Sequence, residues 1–195
     1  MLRRIAVVSA LALLAAAAAP AEAQLPFRLG VQAGASVPTG DFGDSDSNLG
    51  FGAKTGYHVG LLAEIKPPLF PVGLRGDVIY NEFGIESETF GDDSDFRLLN
   101  VNANAILEMP GIGLSPYLLG GIGWYRGNFN ASDEDDEFES DAESAVGFNV
   151  GGGIRFGLAG FGAAVEAHYR SVNLDFGGTQ EYKPRFIPIS FVLTF

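Results

Sequence analysis

The two histidines are the side chains of this 195-residue chain that are best suited to acid–base chemistry near neutral pH. His168 follows Glu166 by two residues, so in an extended strand both side chains project from one face. Hydrolytic chemistry also needs a nucleophile within hydrogen-bond reach, and the nearby Ser171 falls on the opposite face. His58 and His168 both fall on the polar faces of alternating segments. The sequence therefore predicts two histidines in a polar network and no catalytic residues.

Acidic residues occur twice with the alternate-residue spacing found at the start of a calcium-binding loop. Such a loop also needs glycine at its sixth position for a sharp turn, and Leu49 and Phe138 occupy that position here. No EF-hand and no metal ligand are therefore predicted, and we interpret these segments as solvated, self-repelling loops. Weak contact with calcium or magnesium is kept as a hypothesis. The residues with this spacing are Asp44, Asp46 and Asn48 in one segment and Asp133, Asp135 and Glu137 in the other.

The composition excludes several other kinds of site. The chain has no cysteine, which excludes disulfides and cysteine-based metal or redox centres. Acidic residues outnumber basic ones 24 to 12, and the formal charge of −12 argues against a nucleic-acid partner. The three consecutive glycines at 151–153 do not form a phosphate-binding loop, because no glycine motif follows a strand and opens a helix here. No cofactor is predicted.

The first 23 residues have the features of a secretory signal peptide. Two arginines precede the uncharged apolar run Ile5–Ala19, and Ala21-Glu22-Ala23 matches a small-residue cleavage site. This apolar run is shorter than the ~20 residues that a membrane-spanning helix needs. We therefore expect cleavage of residues 1–23, which leaves residues 24–195 as one domain.

From residue 27 onward, apolar and polar residues alternate with a period of two, which is typical of strands with one apolar face. In the first such segment, Phe27 and Leu29 share one face while Arg28 lies on the other. Each segment is about as long as a strand that crosses a bilayer, ~9–11 residues. The eight predicted strands are residues 27–37, 54–66, 72–83, 96–109, 115–126, 145–156, 161–172 and 183–195.

The connections between the predicted strands alternate in length. Those after the second, fourth and sixth strands are tight turns, whereas the others are long and polar. Most acidic residues lie in the first three long connections, including the run from Asp133 to Glu143. Short turns at one end and long loops at the other are typical of outer-membrane barrels, and an even strand number closes the sheet without an edge. The sequence thus predicts an all-β fold, an eight-stranded antiparallel up-and-down transmembrane β-barrel with both termini at the short-turn end.

The face opposite the apolar one carries charged side chains of both signs. The interior of an eight-stranded barrel is just wide enough for side chains to fill it. Buried charges are tolerated when they are paired, so we predict an ion-paired plug, with a narrow channel as the alternative. Periodicity alone does not fix which face is inside, and a secreted soluble barrel with an apolar, ligand-binding interior is a further alternative. The predicted lumen network consists of Arg28, Glu64, Arg75, Asp77, Glu108, Arg155, Glu166, His168 and Arg170.

Three segments and the end of the chain resemble a known family. Residues 115–125 (SPYLLGGIGWY) look like the proline–tyrosine–glycine strand of small outer-membrane barrels, and residues 148–156 (FNVGGGIRF) and 165–170 (VEAHYR) resemble later strands of them. Together they resemble the OmpA-like, OmpX-like and opacity-type eight-stranded barrels. The last strand resembles the signal read by the outer-membrane barrel assembly machinery, and the residues of that signal are Ile187, Ile189, Phe191, Leu193 and Phe195.

The resemblance implies residence in the outer membrane of a Gram-negative type of cell. It implies outer-membrane lipid, lipopolysaccharide and the assembly machinery as partners, and an extracellular partner is open to the long loops. We expect a structural or surface-interaction anchor that displays acidic loops without catalysis, and the alternatives are a narrow channel and a lipid A-modifying enzyme. Aromatic residues near the rims are expected to hold the barrel in lipid, namely Tyr57, Trp124, Tyr125 and Tyr169.

Overall fold

Antiparallel strands dominate the computed structural model, which describes residues 27–44, 52–67, 70–85, 94–111, 113–133, 136–139, 143–158, 161–173 and 183–195. A 3-10 turn, Gly40–Phe42, follows the first strand. No helix within these described segments has the length and apolarity needed to cross a membrane. The strands are β1 (Phe27–Thr39), β2 (Gly56–Ile65), β3 (Val72–Gly84), β4 (Asp95–Glu108), β5 (Leu114–Asp133), β6 (Asp136–Glu139), β7 (Glu143–Leu158), β8 (Phe161–Val172) and β9 (Arg185–Thr194).

Eight of these strands close into a barrel. Their order around the ring is β1, β2, β3, β4, β5, β7, β8 and β9, and β9 pairs with β1 to close it. All the pairings are antiparallel, because each strand returns beside the one before it. The predicted all-β, eight-stranded barrel is therefore confirmed. Residues 1–26 lie outside the described residues, and the cleaved signal peptide stays a prediction.

The short strand β6 lies outside the ring and lengthens one hairpin. β5 runs to Asp133, beyond its predicted end at residue 126, and its last four residues pair with β6. The sequence predicted a loop for this segment. The acidic run from Asp133 to Glu137 contains no apolar residue, so this part of the segment carries no period-two signal.

The apolar face of the barrel points outward. Along β2, Leu61 is 65% exposed, whereas the next residue, Leu62, is 4% exposed. Large apolar side chains are exposed in the same way on the other strands of the ring, for example Ile122 on β5 and Val165 on β8. A band of this kind contacts acyl chains in a bilayer, and it exceeds the apolar patches that soluble monomers expose. The structure therefore argues against a soluble barrel with an apolar interior.

The long-loop end of the lumen is filled by an apolar layer, which we call the apolar cap. The 3-10 turn after β1 carries Phe42 into the barrel, where its ring centroid lies 5.1 Å from that of Phe83 and 5.7 Å from that of Phe96. Rings at these separations in edge-to-face geometry pack favourably. The cap was not predicted, because the inward face was interpreted as polar along its whole length. Its buried residues are Phe42, Ala53, Phe83, Ile85, Phe96, Leu98, Tyr125, Val172 and Phe186.

Inward-facing glycines on β5 and β7 make room for large side chains from other strands. A Cβ at Gly153 would lie 2.7 Å from the hydroxyl of Tyr117, and a Cβ at Gly121 would lie 2.6 Å from Oδ1 of Asn104. Both distances are shorter than real contacts, so any larger residue would displace its neighbour. A narrow lumen can therefore hold bulky side chains from some strands because others contribute almost no volume.

The aromatic residues predicted for the rims lie on both sides of the wall. Tyr57 and Trp124 are exposed on the outer surface. Tyr125 is completely buried in the apolar cap, so its predicted outward position is wrong. Adjacent residues of a strand point to opposite faces, and the glycines of β5 concealed which of the two aromatic residues faces the lipid.

Candidate functional site

An arginine held by two carboxylates lies in the middle of the lumen. Arg75 on β3 is 1% exposed, and its Nε and Nη2 donate to Oε1 of Glu64 at 2.9 and 2.6 Å. Its Nη1 and Nη2 donate to Oε2 and Oε1 of Glu166 at 2.8 and 2.7 Å. Glu64 is directly across from Arg75 on the neighbouring β2, whereas Glu166 comes from β8, four strands away around the ring. These contacts therefore bridge the lumen from wall to wall.

A second arginine extends this network toward the short-turn end. Arg155 on β7 donates Nη2 to both carboxylate oxygens of Glu64, at 2.8 and 2.9 Å. Its Nη1 lies 3.4 Å from Oε1 of Glu108, and the other oxygen of that carboxylate, Oε2, accepts from Nζ of Lys66 at 2.8 Å. Arg28 is half-exposed, and its Nη1 lies 3.7 Å from Oε2 of Glu64. We call the buried set Glu64, Arg75, Arg155 and Glu166 the ion cluster.

A buried tyrosine joins the two arginines of the ion cluster. The guanidinium carbons of Arg75 and Arg155 lie 5.8 and 5.1 Å from the ring centroid of Tyr117, within the range of a cation–π contact. The Tyr117 hydroxyl donates to Oε1 of Glu166. Tyr117 was not predicted to line the lumen, because the glycines that follow it on β5 obscured the register.

The two histidines lie in separate hydrogen-bonded groups. Nε2 of His168 donates to Oε2 of Glu166 at 2.8 Å, and the two side chains share one face of β8. His58 lies between Ser36 Oγ, 3.0 Å from its Nδ1, and Ser190 Oγ, 2.8 Å from its Nε2. Both imidazoles are almost completely buried inside the barrel.

The neighbours of His58 fix which of its nitrogens carries the proton. Asn81 donates its Nδ2 to the carbonyl of Leu98 at 3.1 Å, so its Oδ1 accepts from Ser36 at 3.0 Å. With its hydroxyl proton used in this way, Ser36 accepts from Nδ1 of His58, and Nε2 accepts from Ser190. The arrangement is a neutral, saturated hydrogen-bond chain between β1, β2 and β9. No carboxylate orients His58 among these contacts.

Asparagine side chains surround the two remaining charges predicted for the lumen. Asp77 accepts from Nδ2 of Asn102 through Oδ1 and from Nδ2 of Asn104 through Oδ2, the latter at 2.8 Å. Nη1 of Arg170 lies 2.6 Å from the Asn100 amide oxygen when that amide is turned to accept from Arg170 and Asn102. Asp77 and Arg170 therefore lie with amides rather than within the ion cluster.

A cavity of about 490 Å³ opens at the short-turn end of the lumen. Arg28, Glu108, Ser115 and Thr194 contribute to its lining. Arg155 also lines it, so the cavity reaches as far as the ion cluster. Solvent that enters from the short-turn end thus meets paired, buried charges before it meets the apolar cap.

The closed ring, the outward apolar band and the ion-paired lumen agree with a comparison to known families. Residues 6–195 match the family described as outer membrane protein beta-barrel domain. The chain belongs to this family. It is therefore an integral outer-membrane β-barrel, located in the outer membrane of a Gram-negative type of envelope.

Several solved structures share this fold. Neisserial surface protein A is 16% identical, with a TM-score of 0.60 over 87% of this chain and 96% of that chain. A major outer membrane protein from Thermus thermophilus is 11% identical, with a TM-score of 0.51 over 87% and 98%. OprG from Pseudomonas aeruginosa is 13% identical, with a TM-score of 0.50 over 86% and 95%. No curated protein matches the chain in sequence. Identities this low show the fold of this outer-membrane barrel alone.

The nine side chains predicted for the lumen fall into two groups in this outer-membrane barrel. Hydrogen bonds and ion pairs connect one group, which consists of Arg28, Glu64, Arg75, Glu108, Arg155, Glu166 and His168. Asp77 and Arg170 form the other group with their asparagine neighbours. Ser36 and Ser190 were not predicted to take part, because uncharged residues on the inward face gave no chemical signal of their own.

The predicted assembly signal lies on the outer face of β9. Ile189, Phe191 and Leu193 are exposed there, where lipid would surround them. Phe195 continues the pairing with β1, donating its N–H to the Leu29 carbonyl at 2.8 Å and accepting from the Leu29 N–H at 3.1 Å. Recognition of this segment by the assembly machinery stays a prediction.

The described segments contain no group of three His, Asp or Glu side chains that could hold a metal ion. Three residues with calcium-loop spacing, Asp46, Asn48 and Asp135, lie outside the described residues. Weak cation binding by the long loops therefore stays a hypothesis.

Proposed function

We propose that this outer-membrane barrel is a closed structural anchor that displays acidic loops at the cell surface, without transport or catalysis. The observation that supports this proposal is a lumen filled at two levels. The ion cluster crosses it from β2 and β3 to β7 and β8, and the apolar cap fills it at the long-loop end. Each layer alone would oppose the passage of a hydrated ion, because one fixes its charges in pairs and the other offers no polar partner.

The position of the histidines supports a structural role for them. A lipid A-modifying enzyme must let its lipid substrate reach the nucleophile and the base. His58 and His168 are on the inner side of the wall, and their hydrogen-bond partners are also buried there. The Ser190–His58 contact has the length of a nucleophile–base pair, but a substrate in the membrane has no route to it through the described strands. We therefore favour a polar network that orders the lumen over a catalytic centre.

The charge distribution supports the display of acidic loops. The long connections carry most of the acidic residues, and the run from Asp133 to Glu143 begins at the end of the extended β5–β6 hairpin. Like charges at this density keep a segment solvated and extended, which suits contact with a cationic surface or with divalent cations bound to lipopolysaccharide.

Conductance across a planar bilayer tests the closed lumen. The refolded protein, verified by a band that shifts between unheated and boiled electrophoresis, is expected to give no steady openings. A large porin that is refolded by the same procedure serves as the positive control for insertion into the bilayer. Steady single-channel openings of the wild-type protein would contradict the proposal and favour the narrow channel.

Mass spectrometry of lipid A tests the absence of catalysis. Cells that express the protein are expected to show the same acyl pattern as cells that express the His58→Ala/His168→Ala variant. A modification present only with the wild-type protein would assign an enzymatic role to the histidines and overturn this part of the proposal.

A further inference from the structure

An apolar groove crosses the outer wall of the barrel from β9 to β4. It has a volume of about 580 Å³, and Phe191 and Leu193 lie at one end while Tyr80 and Leu99 lie at the other. Small residues line the middle and leave a depression between larger side chains. Ala33 is directly between Phe191 on β9 and Val59 on β2, so the larger neighbours form walls around it.

The groove has about the length of an acyl chain in one leaflet. It spans the five adjacent strands β9, β1, β2, β3 and β4, which at ~4.8 Å per strand spacing is roughly 19 Å. Leu193 is near the short-turn end of β9, whereas Leu99 is only four residues from the long-loop end of β4. The groove therefore slants across the apolar band toward the leaflet at the long-loop end, where one leaflet contributes ~15 Å of hydrocarbon.

Two outward arginines lie beside the long-loop end of the groove. Arg97 is two residues from Leu99 on the same face of β4, and Arg126 on β5 is directly across from Leu99. Both arginines are exposed on the outer surface of the barrel. Cross-strand and same-face neighbours of this kind are within reach of long side chains. The two guanidinium groups can therefore meet one ligand at the edge of the groove.

The carboxylates at this place do not neutralise both arginines. Nε of Arg97 lies 3.6 Å from Oε2 of Glu82, an oxygen that also accepts from the Tyr80 hydroxyl at 2.7 Å. Asp95 lies beyond Arg97 toward the loops, directly across from Gly84, and Lys54 also borders that glycine. Arg126 has no ion pair within the described segments. Among the described residues around the groove, the cations Arg97, Arg126 and Lys54 thus outnumber the carboxylates Glu82 and Asp95.

We propose that the groove binds one anionic, phosphate-bearing lipid of the leaflet at the long-loop end. One acyl chain lies over Ala33 in the groove, and the phosphate contacts Arg97 and Arg126. Bidentate guanidinium contacts suit phosphate oxygens, and the apolar groove gives the chain a fixed path along the barrel wall. The net negative charge of this headgroup attracts the two arginines more strongly than a zwitterionic headgroup, which has no net charge.

The only tryptophan of the chain is placed to report on this lipid. Trp124 faces outward on β5, two residues from Arg126 and directly across from Val101 on β4. A lipid with brominated acyl chains quenches its fluorescence when it occupies the neighbouring position. Reconstitution in phosphatidylcholine vesicles with increasing fractions of brominated phosphatidic acid, or of brominated phosphatidylcholine, therefore measures a relative binding constant.

Phosphatidic acid is expected to bind about 25-fold more strongly than phosphatidylcholine at this position, since each of the two interfacial arginines contributes about fivefold. The Arg97→Gln/Arg126→Gln variant should reduce this ratio to about one. Arg185→Gln is the matched control, because Arg185 is an exposed cation at the same end of the barrel on the distant strand β9. A wild-type ratio near one, or an equal loss in the control, would overturn the proposal.

A second pair of variants tests the groove separately from the charge. Ala33→Phe fills the floor of the groove and is expected to lower the preference for phosphatidic acid at least threefold. Ala167→Phe adds the same ring at an outward position on β8 and should leave the preference unchanged. Full preference in Ala33→Phe would show that no chain lies in the groove and contradict the proposed site. The heat-shifted band confirms that each variant is folded.

Discussion

Inside this barrel, single carboxylates accept hydrogen bonds from several donors at once. Glu166 accepts from Arg75, His168 and Tyr117 at once, and Glu64 accepts from both Arg75 and Arg155. Because a buried carboxylate loses its hydration, it depends on these donors for compensation. Removal of one donor therefore leaves a buried carboxylate whose desolvation cost is no longer compensated.

Replacement of Arg75 by methionine is expected to reduce the free energy of unfolding by about 3–5 kcal/mol, because Glu64 and Glu166 lose their common partner. Urea titration of the protein in lipid vesicles measures this change. Lys66→Met is the control, since the Lys66–Glu108 pair is half-exposed and should contribute about 1 kcal/mol or less. Equal losses in the two variants would contradict a special role for the ion cluster.

The two buried tyrosines of β5 offer a matched comparison of hydroxyl groups. Tyr117→Phe removes the donor to Glu166 but keeps the ring between the arginines, so a loss of about 1–3 kcal/mol is expected. Tyr125→Phe should be nearly neutral, because its hydroxyl has no hydrogen-bond partner among the described residues. The same urea titration compares them, and the reverse order of stability would show that the Tyr117 hydroxyl is not a stabilising donor.

At the scale of the strands, the alternation of residues was sufficient to predict the ring but not its contents. Eight segments with period two predicted eight strands, because each residue step in a strand changes the face. The register of β5 could not be predicted, since Gly120, Gly121 and Gly123 belong to neither face by chemistry. The apolar cap was also missed. Its central residue, Phe42, is delivered by a 3-10 turn beyond β1, in a segment that a period of two does not describe.

A substitution at the end of the last strand can distinguish an effect on assembly in the cell from an effect on stability in the membrane. Phe195→Ser keeps the backbone hydrogen bonds to Leu29 but removes the aromatic end of the predicted assembly signal. We expect a severalfold loss of heat-shifted protein in the outer membrane of expressing cells, with nearly normal refolding in vesicles. Leu29→Ser, at the same end on β1, is the control and should affect both measurements to a similar and smaller extent.

At the scale of the molecule, the ion cluster and the apolar cap lie one after the other along the same axis. A solute from the short-turn end enters a cavity of about 490 Å³, reaches Arg155 and Arg75, and then meets the rings around Phe42. Because the two layers act in series, the loss of one leaves the other in place.

Because the two layers act in series, we expect the barrel to conduct ions only when both layers are disrupted by substitution. Phe42→Ala and Arg75→Ala are each expected to stay silent in planar bilayers, whereas the combined variant should show brief openings. Those openings should favour cations, because Glu64 and Glu166 lose the positive charge of Arg75. Steady openings in Phe42→Ala alone would show that the ion cluster is no barrier.

The wall-to-wall reach of Arg75 also affects how the protein can change over evolutionary time. Outward residues such as Leu61 and Ile122 meet only fluid lipid, which accepts any apolar shape, so they can be exchanged one at a time. Arg75, Glu64 and Glu166 come from three strands and share their protons and charges, so a change in one is disfavoured unless another changes with it. Lineages descended from this barrel should therefore drift freely on the outside and inherit the interior as a unit.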